Sequence, residues 1–289
     1  MKNIFSIDVE DWFHILDLPT APDVNAWHTK ESRVEKNLNT ILDLLDHNDT
    51  KATLFVLGWV AEKYPKLIKE AQKRGHEIAS HGYAHQLVYG MKPEEFFQDI
   101  LKAKNILEAI TGDKVLGLRA PGFSITPETP WAFEMLAKAG YVYDSSIFPT
   151  KRAHGGFVGA ELSPHPINTK HGTIIEFPIS VVNVLGSKVC FFGGGYFRLF
   201  PWTLIKAKSE QVNFEGRPVV YYIHPRDIDP HQPRLPMSFI RQFKSYVNLH
   251  STEEKLLRLI QSQALTSFRE WLTLADLPLT KRPLKSVAI

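Results

Sequence analysis

The chain has 289 residues, of which 44% are hydrophobic and 22% are charged, a composition typical of a globular protein with a sizeable core. Its net charge of +3 is small and no block of lysine and arginine stands out, so nucleic-acid binding is not indicated. The single cysteine, Cys190, excludes an internal disulfide and a metal site built from cysteine ligands.

The beginning of the chain does not have the features of a targeting signal. Its first apolar run is short and is interrupted by Asp8, and no later run is long enough to cross a bilayer. We therefore expect a cytoplasmic protein without a transmembrane segment. No feature of the sequence specifies an oligomeric state.

Short apolar segments alternate with amphipathic segments along most of the chain. Strands are predicted at residues 3–9, 51–58, 76–80, 115–119, 141–144, 173–177 and 218–224. Helices are predicted at residues 34–45, 65–75, 93–110, 128–139, 236–248 and 252–261. This alternation predicts an α/β fold with a parallel sheet, and about seven strand–helix units favour a barrel over an open sheet.

The domain organisation follows from the absence of a clear linker or internal repeat. We expect one domain over residues 1–277, with an irregular insertion rich in glycine and aromatic residues near residues 150–200. The tail at residues 278–289 contains two prolines and several basic residues and is expected to be loosely held.

Ionisable side chains follow the ends of several predicted strands. The carboxyl ends of the strands in a parallel barrel share one face, so these side chains are expected to converge there. A single acid at such a position is more often a helix cap or a loop anchor, and the arginine could simply pair with a surface acid. Their coincidence therefore favours a functional site. The residues concerned are Asp8, Glu10, Asp11, His81, His85, Arg119, Asp144 and His224.

The spacing of His81 and His85 indicates half of a metal site. On one helical turn, residues four apart share a face, so both imidazoles could bind one cation. Such a pair without other context is more often not a ligand pair. It needs a third ligand and an acid or base from elsewhere in the chain.

Five segments in this order resemble the motifs of the polysaccharide deacetylase family, the NodB-homology or family-4 carbohydrate esterases. The resemblance extends over about residues 3–229 and implies an irregular (β/α)7 barrel and a metal-dependent N-deacetylase acting on an N-acetylated sugar or glycan. The segments are Ser6-Ile7-Asp8-Val9-Glu10-Asp11, His81-Gly82-Tyr83-Ala84-His85, Arg119-Ala120-Pro121-Gly122-Phe123, Asp144-Ser145-Ser146 and Ile223-His224-Pro225.

The resemblance also implies roles for the residues in these segments. Asp8 would be the general base, and Arg119 would orient and polarise it. The backbone N–H near Gly122 would help to stabilise the oxyanion. Asp144 would hold His224, which would act as the general acid and protonate the leaving amine.

The implied cofactor is a divalent metal ion, zinc first, with cobalt, nickel or manganese as alternatives. His81 and His85 would be two of its ligands. The family usually has two adjacent aspartates, but here Val9 follows the base, so the third ligand is either Glu10 or Asp11. Glu10 is favoured because strand alternation keeps it on the same face as the base.

The segment at residues 193–198 has two interpretations. Its three glycines, Tyr196 and Arg198 could line a groove in which backbone and aromatic rings contact a sugar, or the segment could be a glycine turn with core aromatics. Two further functions also fit the same scaffold. One is an allantoinase-like hydrolase of cyclic amides, and the other is a carbohydrate-binding protein without catalytic activity.

Overall fold

A nine-stranded, mainly parallel sheet forms the centre of the computed structural model, which describes residues 1–152 and 155–277. The strands in chain order are β1 (Asn3–Val9), β2 (Thr53–Val56), β3 (Glu77–Ser80), β4 (Gly117–Leu118), β5 (Tyr143–Asp144), β6 (His165–Thr169), β7 (Gly172–Glu176), β8 (Val182–Val184), β9 (Ser187–Val189), β10 (Val220–Ile223) and β11 (Leu265–Thr266).

Helices surround this sheet, several of them on its outer face. In chain order they are α1 (Val34–His47), α2 (Gly58–Lys63), α3 (Pro65–Lys73), α4 (Pro93–Thr111), α5 (Trp131–Ala139), α6 (Gly194–Leu199), α7 (Trp202–Phe214), α8 (Phe239–Tyr246), α9 (Thr252–Ser262) and α10 (Phe268–Leu274). In α1, apolar residues recur at helical spacing and are buried against the sheet.

The order of the sheet is β10-β1-β2-β3-β4-β5-β7-β6, with β6 antiparallel to β7 and the short β11 also paired with β1. In the part of the chain that the structure describes, no ladder joins β7 to β10. Between these two strands, the N–H of Val220 in β10 donates a hydrogen bond to the hydroxyl of Ser180, which follows β7, at 2.9 Å. The predicted α/β architecture, an irregular (β/α)7 barrel, is confirmed.

The two faces of β1 have different surroundings because side chains alternate along a strand. Ile7 and Val9 point to the apolar layer beneath the helices. Ile4 belongs to a second apolar cluster on the inner face, together with the large aromatic residues Phe55, Tyr143, Phe177 and Phe268. Asp8, four residues after Ile4, therefore lies on the inner face at the carboxyl end of the strand.

The predicted elements are largely present, and the main differences lie in the second half of the chain. Helix α7 and the antiparallel β6 were not predicted, because the surrounding glycine- and proline-rich sequence obscures their periodicity. Strand β10 lies beside β1, so early and late parts of the described residues contribute to one sheet. The predicted tail at residues 278–289 lies outside the described residues.

None of the described helices combines the length and the apolar composition needed to cross a bilayer.

Gly117 in β4 provides a test of the packing of the inner face. A Cβ at this position would lie 1.9 Å from Cζ of the Tyr143 ring. That ring cannot move aside easily, because it is buried, stacks on Phe268 and donates its hydroxyl hydrogen to Glu77 at 2.9 Å. Gly117→Ala should lower the free energy of unfolding by about 1–3 kcal/mol or more, measured by urea denaturation.

The matched control is Gly90→Ala, where an added Cβ meets no atom within 4 Å. This variant should remain within about 0.5 kcal/mol of the unsubstituted protein. Equal stability of the two variants would contradict the described packing of Tyr143 against β4.

Candidate active site and metal centre

Glu10, His81 and His85 are the group of side chains, among residues 1–152 and 155–277, that could hold a metal ion. Their ligand atoms all lie within 4.8 Å of one another, and all three residues are buried. His85 Nε2 lies 2.7 Å from Glu10 Oε2. Ligand atoms bound to one zinc ion at about 2.0–2.2 Å are about 3–3.5 Å apart, so this donor set fits a divalent ion with small adjustments.

His81 is oriented by the backbone of the neighbouring strand. Its Nδ1 donates a hydrogen bond to the carbonyl oxygen of Arg119 at 2.7 Å, which leaves Nε2 free to bind a metal ion. The carbonyl can only accept, so the contact fixes the tautomer. A carbonyl partner on the second ring nitrogen is the usual arrangement for a histidine that binds metal.

The predicted helical turn between His81 and His85 is wrong, because the segment is a loop after β3. Gly82 and His85 both have left-handed φ angles, +73° and +53°. The loop is held by Asp99, whose carboxylate accepts from the N–H groups of Tyr83 and Ala84 at 2.8 and 3.2 Å. A Cβ on Gly82 would lie 2.8 Å from this carboxylate, so glycine is required here.

Asp11 was predicted as an alternative metal ligand to Glu10, but it is not part of the metal-ligand group. Its carboxylate turns away and accepts hydrogen bonds from the hydroxyl of Ser32 and from the N–H groups of Arg33 and Val34 at the start of α1. A carboxylate at this position satisfies N–H groups that have no partner within the helix. Glu10 is therefore the carboxylate in the described group.

Arg119 and Asp8 form the buried ion pair that the sequence predicts. Arg119 is fully buried, and its Nη1 lies 2.6 Å from Asp8 Oδ1. The guanidinium also donates to the hydroxyl of Ser6 at 2.8 Å and to the carbonyl and hydroxyl oxygens of Ser145 at 3.2 and 3.1 Å. It lies 4.2 Å from the Phe55 ring centre. These contacts fix the plane of the guanidinium and, through it, the Asp8 carboxylate.

His224 lies on the other side of the same carboxylates. Its Nε2 is 3.8 Å from both Asp8 Oδ2 and Glu10 Oε1. Its Nδ1 lies 3.0 Å from Asp227 Oδ2, and the other oxygen of Asp227 lies 3.0 Å from Nε of Arg198. The ring is therefore held in place by Asp227, with Nε2 directed towards the two carboxylates.

Asp144 does not hold His224, so this predicted contact is wrong. Its carboxylate accepts hydrogen bonds from the N–H and hydroxyl of Ser146 at 3.0 and 2.7 Å, within its own turn. Burial raises the pKa of Asp144 to about 6, although a hydrogen bond with Glu176 opposes that rise, and burial together with the charge of Asp144 raises the pKa of Glu176 well above its usual value. Asp144 instead fixes the turn in which Ser145 contacts Arg119.

The protonation states follow from burial and neighbouring charges. Burial lowers the pKa of His224, but Asp227, Glu10 and Asp8 outweigh it and raise the pKa to about 9. Burial raises the pKa of Glu10, but the nearby His85 and His224 outweigh this effect, so the pKa lies well below its usual value. Burial lowers the pKa of His81 to about 4, against the opposing effect of Asp8. A neutral His81 is suited to binding a metal ion.

These groups face a cavity of about 670 Å³. Gly122, with a left-handed φ of +63°, and the half-buried Tyr196 line it. Arg198 also lines it, but its guanidinium is occupied by Asp227 and by the carbonyl oxygens of Val247 and Lys244. Arg198 therefore orients Asp227 and is not free to stack on a sugar.

The cavity residues that were not predicted include Asp227, His14 and Arg152. Asp227 follows His224 by three residues after a proline, a spacing typical of a tight turn, and this was the available signal. His14 accepts a hydrogen bond from the Asp11 N–H through Nδ1 at 2.9 Å, and its ring is buried 4.2 Å from that of Trp27. Arg152 lies in the segment that could not be assigned from sequence.

The contact between Asp227 and His224 yields a measurable prediction. Asp227→Asn removes the nearest negative charge, so the pKa of His224 should fall by about one unit or more. The pKa is measured by NMR titration of the histidine ring signals without added metal, with His224→Gln to assign the signal. Asp229→Asn is the control, since its carboxylate accepts from His231 and Asn37. An unchanged pKa in Asp227→Asn would contradict the described contact.

Comparison with known families gives two adjacent matches. Residues 24–143 match a family model described as Polysaccharide deacetylase, and residues 145–273 match a domain of unknown function, DUF3473. A peptidoglycan-N-acetylglucosamine deacetylase of Bacillus cereus is 35% identical over 95 residues, which cover 32% of this chain and 34% of that protein. The chain thus matches only about a third of the length of this relative.

Solved structures show the same fold over nearly the whole chain. A protein described as a polysaccharide deacetylase from Mycobacterium smegmatis has a TM-score of 0.63 at 20% identity, covering 99% of this chain and 94% of that one. Puue allantoinase has a TM-score of 0.58 at 17% identity, covering 93% and 89%. At these identities the likeness concerns the fold alone. The matched segment at residues 24–143, together with the motifs in order, shows that the chain carries a domain of the polysaccharide deacetylase family.

Proposed function

We propose that this protein is a metal-dependent N-deacetylase that removes the acetyl group from an N-acetylated sugar or glycan precursor and releases acetate. One observation carries the proposal. A carboxylate held by Arg119 and an imidazole held by Asp227 face the same Glu10, His81 and His85 group. The name of the Bacillus cereus relative, a peptidoglycan-N-acetylglucosamine deacetylase, supports an N-acetylated sugar as the substrate.

The donor set favours a divalent ion, with zinc as the first choice and cobalt, nickel or manganese as alternatives. Two imidazoles and one carboxylate form a common catalytic zinc site that leaves coordination positions open. When bound by Glu10, His81 and His85, the ion would supply a Lewis acid that lowers the pKa of water and polarises an amide carbonyl.

The protein groups then have distinct tasks during hydrolysis. Asp8 takes a proton from the attacking water through Oδ2, because Oδ1 is engaged by Arg119. As the bond from water oxygen to the acetyl carbon forms, the Gly122 N–H in the cavity wall donates to the developing oxyanion. When the C–N bond breaks, His224 gives its Nε2 proton to the leaving nitrogen, so that the products are acetate and an amine.

His224 is suited to this task because its pKa of about 9 keeps it protonated at neutral pH. Asp227 sets its orientation, and Arg198 fixes Asp227 from the far side. A general acid with a raised pKa can protonate an amine leaving group that would otherwise depart as an unstable anion.

The proposal is tested by measuring acetate release from N-acetylated sugars, including oligosaccharides and phosphorylated monosaccharides. We expect activity with zinc, loss of activity with EDTA and recovery on adding zinc or cobalt. Asp8→Asn should lower kcat by roughly 10²–10⁴, because the base acts mainly in the transition state. Zinc affinity is measured by titration calorimetry and should fall in Glu10→Gln. Loss of a residue that only supports a metal ligand costs roughly 10–100-fold in affinity, and the loss of the ligand Glu10 should cost more than that.

Asp11→Asn is the matched control, since Asp11 is also buried and acidic but contacts the start of α1. Its folded fraction should bind zinc like the unsubstituted protein. Acetate release that persists without metal would contradict the mechanism. Turnover of allantoin without amide hydrolysis of any N-acetyl sugar would identify a cyclic-amide hydrolase instead, and glycan binding without turnover would identify a non-catalytic binding protein.

A further inference from the structure

We propose that the substrate carries an anionic group, a phosphate or a carboxylate, and that Arg152 binds it in the wall of the active-site cavity. The identity of the substrate as an N-acetylated sugar rests on the proposed function. The binding of an anion by Arg152 rests on the geometry of the cavity alone.

The Arg152 guanidinium is held in place but has no acidic partner. It lies 4.2 Å from the Phe148 ring centre and 5.2 Å from that of Phe123. Its Nη1 is buried without a hydrogen-bond partner, and no carboxylate among the described residues lies within ion-pair distance. The charge of this guanidinium is therefore not neutralised by an acid within the described residues, and an anion that reaches its side facing the cavity would meet an unpaired cation.

Arg152 belongs to the same cavity as the metal-ligand group. It lines that cavity together with Phe123, which directly follows Gly122. Its charge also acts on Tyr196 and Tyr222, which line the same cavity. Burial raises the pKa of both tyrosines, and the Arg152 charge opposes that rise. An anion bound to Arg152 would therefore belong to the molecule whose acetamide occupies the catalytic centre.

The charges around the cavity also favour an anionic ligand. The acids that line it, Asp8, Glu10 and Asp227, are each engaged by Arg119, His85 or His224. Three further cations line it without a carboxylate at ion-pair distance among the described residues: Arg226, Arg241 and Lys244. The first two donate to uncharged oxygens, of Gln232 and Leu16. The excess of positive charge would concentrate anionic molecules in the cavity.

Arginine also has the geometry for this task. Its planar guanidinium can donate two parallel hydrogen bonds to a phosphate or a carboxylate. Stacking on Phe148 restricts the plane of the group before a ligand arrives, which lowers the entropy lost on binding. Lysine would retain the charge but not the paired donors.

The test compares anionic with neutral substrates in the zinc-loaded protein of residues 1–289. The substrates are N-acetylglucosamine 1-phosphate, N-acetylmuramic acid and neutral N-acetylglucosamine. Arg152→Gln should lower kcat/KM for at least one anionic substrate by about 10–100-fold, and for the neutral one by less than about threefold. Arg152→Lys should recover part of the loss. Lys151→Gln is the matched control, because Lys151 is an exposed cation next in the chain that does not line the cavity.

A second measurement separates the anion site from the catalytic proposal. The deacetylated counterparts of the three sugars cannot be turned over, and their binding is followed by NMR titration. Binding of glucosamine 1-phosphate or muramic acid that weakens in Arg152→Gln supports the anion site even if no acetate is released. The phosphate and carboxylate series show which anion is preferred. Thermal unfolding of each variant establishes that it is folded.

Two results would overturn the inference. One is an equal loss of kcat/KM in Arg152→Gln for anionic and neutral substrates, which would show a purely structural role beside Phe148. The other is an Arg152→Gln variant that releases acetate with the same kcat/KM as the unsubstituted protein and binds the deacetylated forms of all three sugars with the same affinity. Acetate release in that second case would leave the proposed function intact while removing the anion site.

Discussion

The buried ion pair between Arg119 and Asp8 is the interaction on which the rest of the site depends. A fully buried guanidinium is tolerated only when it is paired and its donors are satisfied. Arg119 meets this requirement by joining the end of β4 to Ser6 and Asp8 of β1 and to Ser145 after β5. The strands are thereby fixed around one carboxylate oxygen, and the other oxygen remains available to the cavity.

The site is assembled from three parts of the chain that the family models treat separately. Asp8 and Glu10 precede both matched segments, His81 and His85 lie in the deacetylase segment, and His224 lies in the segment of unknown function. Parallel pairing of β1 with β10 brings the first and last parts together. The register aligns Ile7 with Ile223, so the next residues, Asp8 and His224, emerge side by side. The segment of unknown function thus provides one side of the cavity.

The sequence was informative where one strand or one periodic helix determines the position of a residue. It predicted β1 and α1 and placed Asp8 and His224 at the same end of the sheet. Contacts that depend on how a chain turns after a strand were not predictable. Spacing alone could not show that Gly82 opens a loop, that Asp11 turns towards α1, or that Asp227, and not Asp144, reaches His224. These outcomes depend on backbone angles and on neighbours distant in the sequence.

Glu10, His81 and His85 are proposed to bind a single catalytic ion between Asp8 and His224. A crystal structure of the zinc-loaded protein, with anomalous scattering recorded at the zinc edge, tests this claim most directly. We predict one strong anomalous peak at about 2.0–2.2 Å from a carboxylate oxygen of Glu10 and from Nε2 of both histidines. A peak at Asp11, or no peak within the cavity at saturating zinc, would contradict the claim.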